Sequence, residues 1–374
     1  MPSRSDAISY ELLVNDAPAP PELIAAVQSV QVEDHAELAD LLRVKLTVGV
    51  RPDGGGWTVL DDDTFARLAK VSLRVRVGNT RETLIHAYVV ETSVSFSAQP
   101  GQSVLTVVAM DPTVLMNLEE KVKPWPDMAD SDIASAIFGD YGFTPQIRDS
   151  QPARSDNEHR VMQRGTDIQF LTHLARRNGC ECYVETGASG EVEGHFHPPD
   201  VQQAPQGVLT LNMGEATNVS SFSVRNDMLR PVTVAARGLE VESGSDQPAE
   251  SQSQSGGELG SGAAVASDRP RKILLAGTGL AKASELQTAA QAVVDRSAWS
   301  ILAEGELNAS TYGGVLRAKR PVTVRGAGRA FSGTYYVHRV LHTFTSEGYS
   351  QRFSLRRNAL GLTGRESFTE DNRL

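Results

Sequence analysis

The sequence predicts an α+β fold that is mostly β: two antiparallel β-barrel domains flanking a small α+β middle domain. Three observations carry this. Runs with apolar residues at every second position, separated by turns about every 8–12 residues, fill both ends of the chain. One central stretch, His159 to Glu185, switches from a period of two to a helical period and back. The β runs on either side of it echo one another in order.

Ile8 to Val14 alternates as an opening strand, and Pro18, Pro20 and Pro21 punctuate the stretch after it. Ile24 to Val32 and Arg43 to Val50 read as strands, with Glu33, Asp34, Glu37 and Asp40 as an acidic loop or short helix between them. Val71 to Val77 alternates again, with Arg74 and Arg76 on the wet face. His86 to Ser97 and Ser103 to Met110 form a hairpin around Gln99-Pro100-Gly101-Gln102. This makes residues 1–111 the first barrel.

Residues 112–207 are expected to form the middle domain. Asp130 or Ser131 caps a helix carrying Ile133, Ala134, Ile137 and Phe138, stopped at Tyr141-Gly142. In the central stretch the chain turns at Gly165, and Thr166 with Gln169 forms a capping box. Ile168, Leu171, Leu174 and Ala175 line one helical face. Arg176 and Arg177 favour the negative end of the helix dipole, and Asn178-Gly179 supplies a left-handed stop.

From 208 to 360 the β pattern returns: Leu209 to Asn212, Val219 to Val224, Val232 to Arg237, Arg320 to Arg325, Gly333 to Thr345 and Ser350 to Arg357. Glu242 to Asp268 interrupts it. This Ser/Gly-rich segment has no aromatic and no basic residue, so a flexible insertion, dispensable for folding, is expected there. Ser284 to Gln287 is a second capping box, opening a helix to about Leu302. Residues 361–374 read as a polar tail.

A shift of 248 positions lays Tyr88-Val89 on Tyr336-Val337, Phe96 on Phe344, Leu105 on Phe353 and Val107 on Leu355. One inserted residue upstream aligns Leu73 and Val75 with Val322 and Val324. Before these, Ser29 to Val32 with Arg43 to Val50 echoes Ser221 to Val224 with Val232 to Arg237.

The net charge of −10 argues against a general nucleic-acid binder. The apolar runs, such as Val104 to Met110, are far short of a membrane span. Met1 to Asp6 leads into a strand rather than an apolar core, so no signal peptide is expected, and synthesis in a reducing cytoplasm fits the two close cysteines.

No catalytic, cofactor or metal residue is assigned. Cys180 and Cys182 could face His195 and His197 across a hairpin, a donor set that suits zinc, yet neither pair has the spacing of a zinc knuckle or finger. Two strands with buried thiols and ordinary polar faces are expected instead. His338 and His342 share a strand face without an acidic partner and are read as solvated or interface histidines. Gly326-Ala327-Gly328 lacks the third glycine and the strand-to-helix setting of a dinucleotide site. Asp61-Asp62-Asp63 lacks the alternating ligands of a calcium loop, and Gly54-Gly55-Gly56 is turn chemistry.

Val161 to Leu171, Leu174 to Gly179, Phe331 to Val337 and Tyr349 to Phe353 resemble the signature of the phage late-control D, or baseplate hub, family. Asp130 to Phe143 fits that family's middle domain. The resemblance covers nearly the whole chain in the family's order. It implies tube-protein-like barrels and a non-enzymatic homotrimer whose two barrels per chain make a ring of six. That ring would join a sixfold inner tube, or its initiator protein, to a threefold spike, with baseplate wedge proteins around it. The sequence ends about 15 residues after the second barrel, with no oligosaccharide-binding-fold barrel and no β-helical needle, so a separate spike protein is expected. No nucleic acid, no membrane insertion and no cofactor are implied, and the particle would be a phage tail, a type VI system or an extracellular injection system. The alternative is a modular β-rich hydrolase of cell-wall or polysaccharide substrates, which needs paired carboxylates in an aromatic cleft. With 6% aromatics and no local Trp and Glu cluster, the chain offers little for one.

Overall fold

The computed structural model of the chain describes residues 8–51, 54–61, 63–78, 80–150, 161–187, 190–239, 246–265, 269–276, 280 and 282–368. Strict alternation builds the first part. In β4 (Leu41–Val48), Leu42, Val44, Leu46 and Val48 are buried while Arg43 and Lys45 face water. β1 (Ile8–Val14), β2 (Ala17–Pro18), β3 (Val27–His35), β4, β5 (Lys70–Val77), β6 (Thr80–Ser95) and β7 (Ser103–Met110) take the order β3-β4-β7-β6-β5-β1-β2. They close over one apolar core. The expected strand at Ile24 starts later, because Pro20 and Pro21 set up a short helix, α1 (Pro21–Ala26), with Pro at its first turn.

The middle part is strand, helix, strand as the sequence implies. β8 (Glu120–Trp125) pairs with β10 (Val161–Thr166), and β9 (Thr144–Ile147), β11 (Glu181–Thr186) and β12 (Val192–His197) form the order β11-β12-β9. Helices α2 (Asp130–Asp140) and α3 (Asp167–Arg177) cover a separate core around Ile133, Phe138, Leu171, Leu174 and Phe196. Thr166 is the N-cap of α3, and Gln169 Oε1 accepts from the Thr166 N–H at 3.4 Å. The Thr166 hydroxyl, however, donates to Asn117. Gly179 ends the helix at φ +68°. Asn178 does more than precede the stop, since its Nδ2 donates to both Leu174 O and Asp130.

The second β part contains β13 (Val208–Thr210), β14 (Val219–Asn226), β19 (Ile301–Asn308), β20 (Pro321–Arg325), β21 (Gly333–Thr345) and β22 (Gly348–Arg357), in the order β14-β19-β22-β21-β20-β13 around its own core. Between β14 and β19 the chain makes a separate unit. β15 (Val232–Leu239) is flanked by β16 (Asp246–Ser251) and β18 (Arg271–Leu275), and α4 (Ala283–Ala298) packs on this sheet through Leu286, Ala290 and Val294.

This corrects the repeat in three places. The counterpart of β4 is β19, since both lie next to the hairpin strand in the same place; β15 belongs to the inserted unit. The hairpins match through their bulges, at Val89/Glu91 and Val337/Arg339, which are 248 residues apart. Beyond the turn, though, Thr92 pairs with Val107 and Val340 with Phe353, so the second hairpin is two residues shorter. Likewise Lys70 pairs with Tyr88 and Pro321 with Tyr336, which aligns Val71 and Leu73, rather than Leu73 and Val75, with Val322 and Val324. A slip of two keeps every side chain on its face, so alternation in sequence is blind to it.

The Ser/Gly-rich segment is also corrected, as far as its described residues reach; 242–245 and 266–268 lie outside them. β16 pairs with β15, β17 (Gly262–Ala263) pairs with β23 (Ala359–Leu360), and Leu259 and Ala264 are buried. The buried Arg357 guanidinium donates to Leu259 O from Nε at 3.0 Å and from Nη2 at 2.7 Å. A guanidinium needs acceptors, not apolar area, and the segment's backbone supplies them.

Candidate functional site

Long β21 divides one of its edges between two partners. Gly333 to Tyr336 pair with β20, and Arg339 to Phe344 pair with β3, which joins the two β parts into one continuous sheet. β6 is built the same way. Thr80 to Tyr88 pair with β5, but beyond the bulge Glu91 to Ser95 have no partner on that edge among the described residues. β14, the counterpart of β3, pairs only with β19 among the described residues and leaves its outer edge open. Most side chains at both places are exposed, Phe96 at 60%, while Val94, Phe222 and Val224 are half-buried beside their own cores. Unpaired strand edges are templates for pairing with another chain.

The joint is held by a buried ion cluster. Arg317 Nε lies 2.9 Å from Asp34 Oδ2, and Lys319 Nζ lies 2.7 Å from Asp34 Oδ1 and 3.0 Å from Asp40 Oδ2. Asp111 accepts from the Asp40 N–H at 2.7 Å. Burial pushes Asp34 up, but Lys319 and Arg317 outweigh it and hold the carboxyl well below the usual range. Asp40 is pushed up to about 8 by burial against the pull of Lys319. The expected acidic loop is therefore split: Asp34, in β3, and Asp40 are buried in the joint, whereas Glu33 is half-buried and Glu37 exposed. Two acids near two much later basic residues in a 374-residue chain leave no local signal for this.

The two cysteines and the two histidines lie on opposite faces. Cys182 pairs with Phe196, whereas Tyr183 pairs with His195 and Glu181 with His197. Cys180 and Cys182 thus pack into the middle core with Phe196, and burial pushes both thiols up to about 12. His195 and His197 share the other face with three glutamates, a grouping that residue spacing alone does not reveal. His342 is also not at a solvated surface. It is fully buried, and its Nδ1 lies 2.7 Å from the Tyr349 hydroxyl. His338 is the extra residue of the β21 bulge, with Nε2 2.8 Å from Arg356 Nη2. Asp61 accepts from the Trp57 N–H, Asp62 lies outside the described residues, and Gly326 at φ +85° sits against Leu211 O, so both are turn and packing features.

Solved structures give the fold. A 43 kDa tail protein of prophage MuSo2 from Shewanella oneidensis is 13% identical, with a TM-score of 0.67 over 95% of this chain and 100% of that one. The tail protein from Neisseria meningitidis MC58 is 12% identical, with a TM-score of 0.66 over 94% and 97%. The E. coli c3393 protein, described as a type VI secretion component structurally similar to T4 tail proteins gp27 and gp5, is 12% identical, with a TM-score of 0.56 over 93% and 76%. No curated protein sequence matches significantly. The model of the Alg8 N-terminal domain matches residues 4–346, and the chain belongs to that family.

Proposed function

We propose that the chain is a structural, non-enzymatic component of a tail-like particle. More narrowly, it is the late-control D type baseplate hub of a contractile tail or injection system. It assembles as a homotrimer whose six β parts make a ring between a sixfold inner tube, or its initiator, and a separately supplied threefold spike, inside a baseplate of wedge proteins. We read 1–111 and 208–360 as its two barrels and 112–207 as its middle domain. The fold shared with phage tail proteins supports this reading.

The observation that carries the ring is the pair of open edges. Inside one chain the distal half of β21 accepts β3. The equivalent half of β6 and the equivalent strand β14 each keep an open edge among the described residues, and a second copy can bring one to the other. Such head-to-tail contacts are heterologous and make a ring when the rotation between copies closes. His342 faces Val32 and Phe344 faces Val30 at the internal joint. Carried over by the ladder equivalences, that register predicts Val94 opposite Val224 and Phe96 opposite Phe222 of the next copy. Apolar meets apolar at both positions.

The test is a Val94→Cys/Val224→Cys double variant, oxidised and sized under denaturing conditions. A ladder ending at a covalent trimer is expected, while either single variant gives no ladder. The single variants control for the half-buried native thiols. A monodisperse monomer that forms no cross-link, with or without tube and spike partners, would refute the ring.

A further inference from the structure

We propose that Glu185, Glu193 and His195 form a binding site for one divalent transition-metal ion, with zinc as the natural probe. The antiparallel register of β11 and β12 puts Glu185 opposite Glu193 and Tyr183 opposite His195 on one face. His195 Nε2 lies 3.4 Å from Glu185 Oε1 and 3.4 Å from Glu193 Oε2. All three ligand atoms fall within 4.8 Å of one another. Metal–ligand bonds of about 2.1 Å at tetrahedral angles separate two ligand atoms by about 3.4 Å.

The tautomer follows from neighbours. Pro198 O can only accept, so His197 Nδ1, 2.8 Å away, donates to it. With that proton on Nδ1, His197 offers Nε2 as an acceptor, 3.1 Å from His195 Nδ1, the donor, and 3.5 Å from the Tyr183 hydroxyl. His195 Nε2 is left with a bare lone pair aimed at two carboxylates. His195 is only 7% exposed, its ring stacks on Tyr183 at 4.4 Å and 9°, and Nε2 has no hydrogen-bond partner among the described residues. A lone pair facing two anions is unfavourable until a cation lies between them. The nearby cations do not: Arg320 sits 3.9 Å from the other oxygen of Glu185, and Lys319 lies over the Tyr183 ring. The His195–His197–Pro198 chain is the kind of outer support that orients a metal-bound imidazole. Glu185 and His195 line a cavity of about 1450 Å³, which leaves a further coordination position open to water.

This site is independent of the hub reading, and its test needs no particle. Full-length chain stripped with chelator would be titrated with zinc and, separately, with cobalt(II). One ion per chain and a rise in melting temperature with zinc are expected. The cobalt spectrum should show tetrahedral ligand-field bands without a thiolate charge-transfer band. Glu185→Gln and Glu193→Gln keep size and relieve repulsion, so they should fold and bind at least about 100-fold more weakly; Cys180→Ser/Cys182→Ser should bind unchanged. No saturable uptake by the wild-type chain, a thiolate band, or undiminished binding in the two Gln variants would each overturn the proposal. A proton held by His195 in place of a metal would produce the first of these results. Should a variant fail to fold, the wild-type cobalt spectrum still decides.

Discussion

The ammonium of Lys319 lies 2.7 Å from Oδ1 of Asp34, both side chains are 2% exposed, and the pair joins the loop before β20 to β3. Lys319 adopts φ +67°, a conformation favoured by glycine. Breaking a buried pair outright costs about 3–5 kcal/mol, and loss of Lys319 leaves Asp34 with Arg317 alone and takes from Asp40 the cation that contacts it. Lys319→Met should therefore lower unfolding free energy by that order in urea, and Lys319→Met/Asp34→Asn by less than the sum of the single changes. A loss below about 1 kcal/mol for Lys319→Met would show that water reaches the cluster.

His342 makes the fold sensitive to acid. Burial, with a smaller contribution from Arg317 against the opposing pull of Asp34, lowers its pKa to about 3. The folded state holds it neutral, whereas the unfolded chain protonates it near pH 6.5. Its contribution is thus complete above about pH 6.5 and declines as pH falls toward 3, by up to about 1.4 kcal/mol per pH unit. Glu181, pushed up to about 8 by burial, acts oppositely, its contribution fading as pH rises from its ordinary value toward 8. Urea midpoints of wild type and His342→Gln between pH 7 and 4.5 should diverge in slope, with the variant flatter; parallel curves would count against the assignment.

The Ser/Gly-rich segment should not be replaceable. Substituting residues 252–265 by a short linker removes Leu259 O from Arg357 and the β17 pairing with β23. Arg357 keeps Ser332 O and Gly361 O but loses both bonds to Leu259 O. A buried donor left without its acceptor costs about 1–3 kcal/mol, roughly 2–12 °C in melting temperature for a unit of this size. Scanning calorimetry of the replacement variant measures it, and an unchanged melting temperature would restore the dispensable-loop expectation.

Phe96→Asp separates assembly from folding. Phe96 is largely exposed, with its ring 5.0 Å from that of Trp57. The lone chain should lose no more than about 1 kcal/mol. If Phe96 faces Phe222 of the next copy, ring formation should be abolished in light scattering while the circular dichroism spectrum stays native. Intact oligomers in this variant would move the interface elsewhere.

The sequence by itself determined what local chemistry determines. The alternation of β4, β7 and β21, the N-cap at Thr166 and the stop at Gly179 are each written in a few adjacent residues. The bulge that repeats 248 residues apart was also detectable as the Tyr88-Val89 and Tyr336-Val337 echo. Tertiary structure alone decided three things. Two-residue shifts at the turns were hidden because a period of two cannot see them. Burial of Asp34, Asp40, Lys319 and His342 depended on a joint between strands some 300 residues apart in sequence. The pairing partners of Cys182 and His195 depended on cross-strand register, which put Cys182 on the face of Phe196 and the imidazoles with the glutamates on the other, because opposite residues of an antiparallel ladder share a face.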